Sequence, residues 1–90
     1  MSIGIVIPCY NEEKNILKLI KQLKNKIKKD HRIVVVDDSK NNLKIKIKKV
    51  LYIHRKKKLG RGSAVLVGLK TLLYKKKIKY RVQLIICYKY

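Results

Sequence analysis

Ile3-Gly4-Ile5-Val6-Ile7-Pro8-Cys9-Tyr10-Asn11-Glu12-Glu13 is the stretch from which the rest of the chain takes its meaning. The apolar run Ile5–Ile7 ends at a proline and then a polar cluster, as a buried strand bounded by breakers does. Proline has no N–H to give a sheet ladder, so the strand is expected to stop at Pro8. Asn11 is a good N-cap for the periodic segment that follows. The product is a strand–loop–helix unit with carboxylates at its turn, the place where open α/β sheets bind ligands.

Downstream, residues 13–29 carry Ile16, Leu17, Ile20, Leu23 and Ile27 with lysines between them. Spacings of three and four make an amphipathic helix with one apolar and one cationic face. Such a helix can lie on an anionic membrane, but packing on a sheet with a solvated lysine face is the preferred reading. Next comes Arg32-Ile33-Val34-Val35-Val36-Asp37-Asp38-Ser39. Four consecutive apolar residues, all of them β-branched, suit a strand buried on both faces in a parallel sheet. Strand, helix and strand form a βαβ unit, so both polar clusters, Tyr10–Glu13 and Asp37–Ser39, are expected at one carboxyl edge.

Residues 40–49 fit either a strand (Leu43, Ile45, Ile47) or a lysine-rich helix (Leu43, Ile47, Val50). Val50–Ile53 reads as another strand, followed by His54-Arg55 and the basic run Lys56–Lys58. A loop through Gly60 and Gly62 leads into Ala64–Tyr74, expected to be a largely buried helix in which Gly68 allows close packing. Val82–Cys87 reads as the last strand. The predicted fold is α/β, a small Rossmann-like parallel sheet flanked by helices, in a single domain over residues 1–90 without linker or repeat.

The chain holds 25 Lys and Arg against 5 Asp and Glu, a formal net charge of +20 that favours polyanions as partners. Four of those five acids, Glu12, Glu13, Asp37 and Asp38, follow the two strand runs, an arrangement that suggests position for binding more than caps and turns. Cys9 and Cys87 are too few for a disulfide framework, and no secretory signal precedes the first strand. An intracellular, cytoplasmic chain with reduced thiols is expected, with peripheral contact at the membrane left open. His31 and His54 do not combine with the cysteines at metal-ligand spacing. No apolar stretch approaches the roughly 20 residues of a membrane span.

Chemically, Glu12 and Asp38 can accept hydrogen bonds from a base or ribose, Tyr10 can stack on a ring, and Pro8 can shape the pocket wall. Arg55, Lys56 and Arg61, with the backbone N–H groups around Gly60 and Gly62, can face phosphate oxygens. Gly60-Arg61-Gly62 completes neither the dinucleotide fingerprint nor a P-loop.

Three blocks in order resemble the family 2 glycosyltransferases, most closely the dolichyl-phosphate mannosyltransferase-like branch. They are Ile5-Val6-Ile7-Pro8-Cys9-Tyr10-Asn11-Glu12-Glu13-Lys14-Asn15-Ile16, Ile33-Val34-Val35-Val36-Asp37-Asp38-Ser39, and Leu59-Gly60-Arg61-Gly62-Ser63-Ala64-Val65-Leu66-Val67-Gly68-Leu69-Lys70. The resemblance covers about residues 3–74. It implies a nucleotide-diphospho-sugar as ligand, with Pro8, Tyr10 and Glu12 on the nucleoside and Val36 and Asp38 completing that pocket. It also implies sugar transfer, with a lipid phosphate as the acceptor of the nearest branch.

The chain departs from the family where an Asp-x-Asp motif would hold Mg²⁺ or Mn²⁺ on the diphosphate. After Tyr80-Arg81-Val82-Gln83 comes Leu84-Ile85-Ile86-Cys87-Tyr88-Lys89-Tyr90, and no acid follows Asp38. The usual hard oxygen ligands are missing, and residues 75–90 diverge as a tail. The expectation is therefore the nucleotide-binding half of a glycosyltransferase, without catalytic or metal residues of its own and inactive alone. Truncation is preferred over a second polypeptide that completes the site. The competing expectation is a basic α/β protein that binds nucleic acid or an anionic membrane.

Overall fold

In the computed structural model, which describes residues 2–56, 60–74 and 80–88, the elements alternate as the sequence demands. They are β1 (Ser2–Tyr10), α1 (Glu13–Lys26), β2 (His31–Asp37), β3 (Val50–His54), α2 (Arg61–Leu72), β4 (Tyr80–Leu84) and β5 (Cys87–Tyr88). The strands pair in parallel in the order β3-β2-β1-β4, and β5 continues beyond β4 to pair with the end of β1. This is a Rossmann-like parallel sheet flanked by helices, as expected. Its strand order reverses between β1 and β4, the switch point at which such sheets open a crevice at their carboxyl ends.

Side-chain alternation along β1 splits the core in two. Ile5, Ile7 and Cys9 join Ile33 and Val35 of β2 beneath Ile16 and Ile20 of α1, all buried. Val6, with Val34 and Val36 of β2, packs on Ala64 and Leu72 of α2. Burying each Val or Ile side chain stabilises the fold by about 1.5–3 kcal/mol. The close seat of α2 depends on two glycines: a side chain at Gly4 would run into Leu72, and one at Gly68 into Val6. Close packing at Gly68 is thus what the sequence suggested.

Five local expectations change. First, β1 does not stop at Pro8 but runs to Tyr10. Residues along a strand direct their N–H and C=O alternately to the two neighbours. Val6 O accepts from Ile85 N at 3.0 Å, so Val6 and Pro8 look toward the β4 side. Pro8 then falls opposite the break between Leu84 and Cys87, where no ladder bond is asked of it. Second, Asn11 is not the N-cap. It adopts φ 57°, a conformation that Asn tolerates, and Glu12 takes the cap position.

Third, residues 40–49 form neither a strand nor a helix; a lone antiparallel bridge joins Ile47 to Val50. Leu43, Ile45 and Ile47 nevertheless pack against the α1-side core while Lys44, Lys46 and Lys48 are exposed, so the alternation reflects burial without a strand partner. Fourth, α2 begins at Arg61 and is not largely buried. Ala64, Gly68 and Leu72 make one narrow buried stripe, while Leu66 and Leu73 are 58% and 50% exposed. The helix covers β1 and β2, and among the described residues no further element shares that side of the sheet. Fifth, the last strand is two short pieces, Tyr80–Leu84 and Cys87–Tyr88, parted by Ile85 and Ile86.

Candidate active-site edge

The parallel register brings the ends of β1, β2 and β3 to one edge, with Cys9 beside Asp37 and Asp37 beside His54. The ladders run one step further. Asp38 N donates to Cys9 O at 2.9 Å, and Arg55 N donates to Asp37 O at 2.9 Å. Both polar clusters therefore lie together at the carboxyl edge, as the sequence predicted. Asn11 turns the chain there, and its backbone N–H donates to Ser39 Oγ at 2.8 Å.

Two buried carboxylates organise this edge. Asp37, fully buried, accepts from Ser39 N at 2.9 Å and from the Tyr52 hydroxyl at 2.7 Å. The Tyr52 oxygen in turn accepts from Leu43 N at 3.0 Å, which pins residues 40–49 to β3. Burial first, and then the bond to the Asp37 carboxylate, push the Tyr52 hydroxyl well above its ordinary pKa. Asp38 is held by Arg55, whose Nε reaches Oδ1 at 2.5 Å and whose Nη2 reaches Oδ2 at 2.6 Å. The same guanidinium donates to Ser63 Oγ at 2.8 Å and to Gly60 O at 3.3 Å, so it joins Asp38 to the first turn of α2. Such a planar fork suits Arg and no other side chain. His54 Nε2 lies 2.7 Å from Ser39 O and, in the tautomer with its hydrogen on Nε2, donates to it.

The predicted site residues divide by burial. Pro8 and Val36 are fully buried and form the floor beneath the edge. Tyr10 and Glu12 are half-buried, and Glu12 Oε2 accepts from Asn15 Nδ2 at 2.5 Å. An open cleft of about 360 Å³ is lined by Asn11, Glu12, Glu13, Lys14 and Asn15. Asp38 lies within the Arg55 fork, Lys56 is exposed, and Arg61 opens α2 with its side chain outside the described residues. Residues 57–59, 75–79 and 89–90, which include parts of the basic run and the tail, also lie outside them.

Tyr52, His54 and Ser63 escaped the sequence reading. The available signal was Tyr52 itself, a phenol in an apolar strand whose hydroxyl needs a partner when buried.

Beside β1, on the other flank, Cys87 stands in register with Cys9, and both are free thiols. The interaction of the two thiols, with the burial of Cys9, pushes Cys9 far up and Cys87 below the ordinary thiol range. This pair stands at the carboxyl end of β1 after β4, where the family's metal motif was sought. A divalent cation does not fit the residues present. Asp37 is held by Tyr52 and Ser39, Asp38 is held by Arg55, and among the described residues no three metal-ligating side chains gather.

A parallel sheet flanked by helices, with its buried acids at the carboxyl ends, defines an α/β protein of Rossmann-like arrangement. Residues 4–73 match the glycosyl transferase family 2, and the chain belongs to that family. It is also similar to the uncharacterized protein MJ0544 of Methanocaldococcus jannaschii, 40% identical over 84 residues. That match takes in 83% of this chain and 35% of the relative, so the chain spans about a third of the relative's length. No solved structure matches. No helix among the described residues is long and apolar enough to cross a membrane.

Proposed function

We propose that the chain is the donor-binding part of a glycosyltransferase and holds a nucleotide-diphospho-sugar at the carboxyl edge of its sheet. The observation that carries this reading is the convergence of Tyr10, Glu12 and Asp38 at the β1 and β2 ends of a family 2 domain. Tyr10 and Glu12 contact the nucleoside, above the floor formed by Pro8 and Val36. The Asp38 carboxylate is buried within the Arg55 fork, so it accepts from the base or ribose only where the ligand opens that fork. The diphosphate meets Lys56 and Arg61 at the start of α2, where backbone N–H groups also favour anions.

Arg55 reaches the phosphates only by giving up part of its hold on Asp38 or Ser63, so it acts first as the positioning residue of the pocket. Sugar transfer to a lipid phosphate, as in the dolichyl-phosphate mannosyltransferase-like branch, requires groups beyond this edge. With no Asp-x-Asp pair the chain does not turn the donor over alone, and a second polypeptide is one way to complete the site. Isothermal titration with GDP- and UDP-sugars tests the reading. Saturable binding is expected, weakened about tenfold or more by Glu12→Gln or Tyr10→Ala, the worth of one lost polar or stacking contact. No binding by a folded sample would overturn it.

A further inference from the structure

Exposed lysines cluster on the α1 side of the sheet. Over the α1 side lie two pieces of chain, α1 and residues 40–49, whose apolar residues pack on the same core. Ile16 and Ile20 are buried there, and Leu43, Ile45 and Ile47 pack against them. What remains outside is lysine: Lys14, Lys18 and Lys21 on the helix, and Lys44, Lys46 and Lys48 on the segment, all exposed. The two pieces are stitched together, because Lys24 Nζ donates to Lys48 O at 2.7 Å. No acid occurs in residues 14–29 or 40–49. Glu12 and Glu13 stand at the start of α1, and Asp30 at the far rim is bound to Lys49 at 2.8 Å. On the α2 side the described residues mix exposed Leu51, Leu66 and Leu73 with the cations Arg32 and Lys70.

We propose that this lysine face docks the protein on the surface of an anionic lipid bilayer. Charge complementarity selects that occupant. Clusters of basic residues at a membrane surface each add about 1 kcal/mol through the negative surface potential. No aromatic side chain occurs in residues 14–29 or 40–49 to stack on bases. Lysines, compact and strongly hydrated, suit a diffuse potential better than bidentate phosphate recognition. Ile16 and Ile20 of α1 are buried against the sheet and only Leu17 is exposed among its large apolar residues, so the contact is chiefly electrostatic. Because α1 lies along the sheet, docking would lay the strands parallel to the bilayer and turn the carboxyl edge along its surface.

Two double variants with equal loss of charge test this in the whole chain. Lys18→Gln/Lys46→Gln takes one lysine from each piece, and Gln keeps the helix propensity of Lys. Arg32→Gln/Lys70→Gln removes two exposed cations elsewhere. Binding to phosphatidylcholine vesicles, with and without phosphatidylglycerol, is read by co-sedimentation at physiological ionic strength, with circular dichroism to check folding. The expected result is binding only to vesicles with phosphatidylglycerol, lost by roughly twenty- to thirtyfold in the first variant and within about threefold in the second. Equal losses in both variants would make the attraction a property of net charge and overturn the proposal. So would no binding to anionic vesicles, or tighter binding of a short RNA duplex with the same loss in the first variant. None of these readouts depends on the nucleotide-sugar site.

Discussion

Arg55 grips both carboxylate oxygens of Asp38, and the side chain of Asp38 has no exposure to solvent. The pair joins the end of β2 to the residue after β3, and through Ser63 to α2. Breaking such a buried pair from one side leaves an uncompensated charge and costs about 3–5 kcal/mol. Asp38→Asn and Arg55→Met should each lower the urea unfolding free energy by that order, a large part of a small domain's total. The double variant Asp38→Leu/Arg55→Met should lose clearly less than the sum. Arg55→Lys should not rescue, since an ammonium cannot span both carboxylate oxygens and Ser63 at once. Additive losses would show that the pair does not act as a unit.

At the centre of the α2 interface the decisive contact is an absence, the missing side chain of Gly68 over Val6. In an exposed helix Gly→Ala gains up to about 1 kcal/mol of propensity. Here the added methyl meets a β-branched side chain buried in the sheet, and overpacking of that kind costs about 1–3 kcal/mol. Gly68→Ala should therefore destabilise on thermal melting. Val6→Ala in the same chain should recover part of the loss, and a gain in stability from Gly68→Ala alone would contradict the packing.

Cys9 and Cys87 give the carboxyl edge a chemical reporter. The interaction with Cys9 holds the Cys87 thiol below its ordinary range, while Cys9, fully buried, is pushed upward. Only the thiolate reacts with a disulfide reagent. Of the two, Cys87 should therefore react faster, and Cys87→Ser should leave only a slow thiol. Cys9→Ala removes that partner, so the rate profile of Cys87 should move to higher pH. An unchanged profile would mean that the two thiols do not interact.

How far the sequence carries can be judged at individual positions. The four β-branched residues before Asp37 announced a parallel strand, and the α1 stripe of Ile16 and Ile20 is buried as its spacing required. Pro8 misled, because a proline breaks a ladder only where a neighbour asks for its N–H, and that neighbour sits 78 residues away at the β4–β5 break. Lys44, Lys46 and Lys48 alternate with apolar residues for the sake of burial, a pattern that does not reveal whether a strand partner exists. The edge itself was legible from the acids. That Asp38 belongs to Arg55 was not, since the link needs the β2–β3 register, in which Asp37 meets His54 and the next residues pair.

Tyr52 provides the most selective test of that register. Its hydroxyl donates to Asp37 and accepts from Leu43 N, so one oxygen ties β3, the end of β2 and the 40–49 segment together. Tyr52→Phe keeps the ring in the core and leaves both partners short of a bond, at a cost of about 1–3 kcal/mol. The folded-state pKa of Tyr52 is raised, chiefly by burial and then by Asp37. In the unfolded chain the phenol releases its proton near the ordinary value of about 10. The stabilisation is thus fully present below that pH and declines as pH rises toward the folded value. Lysines titrate in the same range, so the comparison with the variant isolates the effect. Between neutral and strongly alkaline pH, the stability gap between wild type and Tyr52→Phe should narrow. Tyrosinate absorbance should show one phenol fewer titrating late in the variant. A gap that stays constant would place Tyr52 outside the Asp37 network.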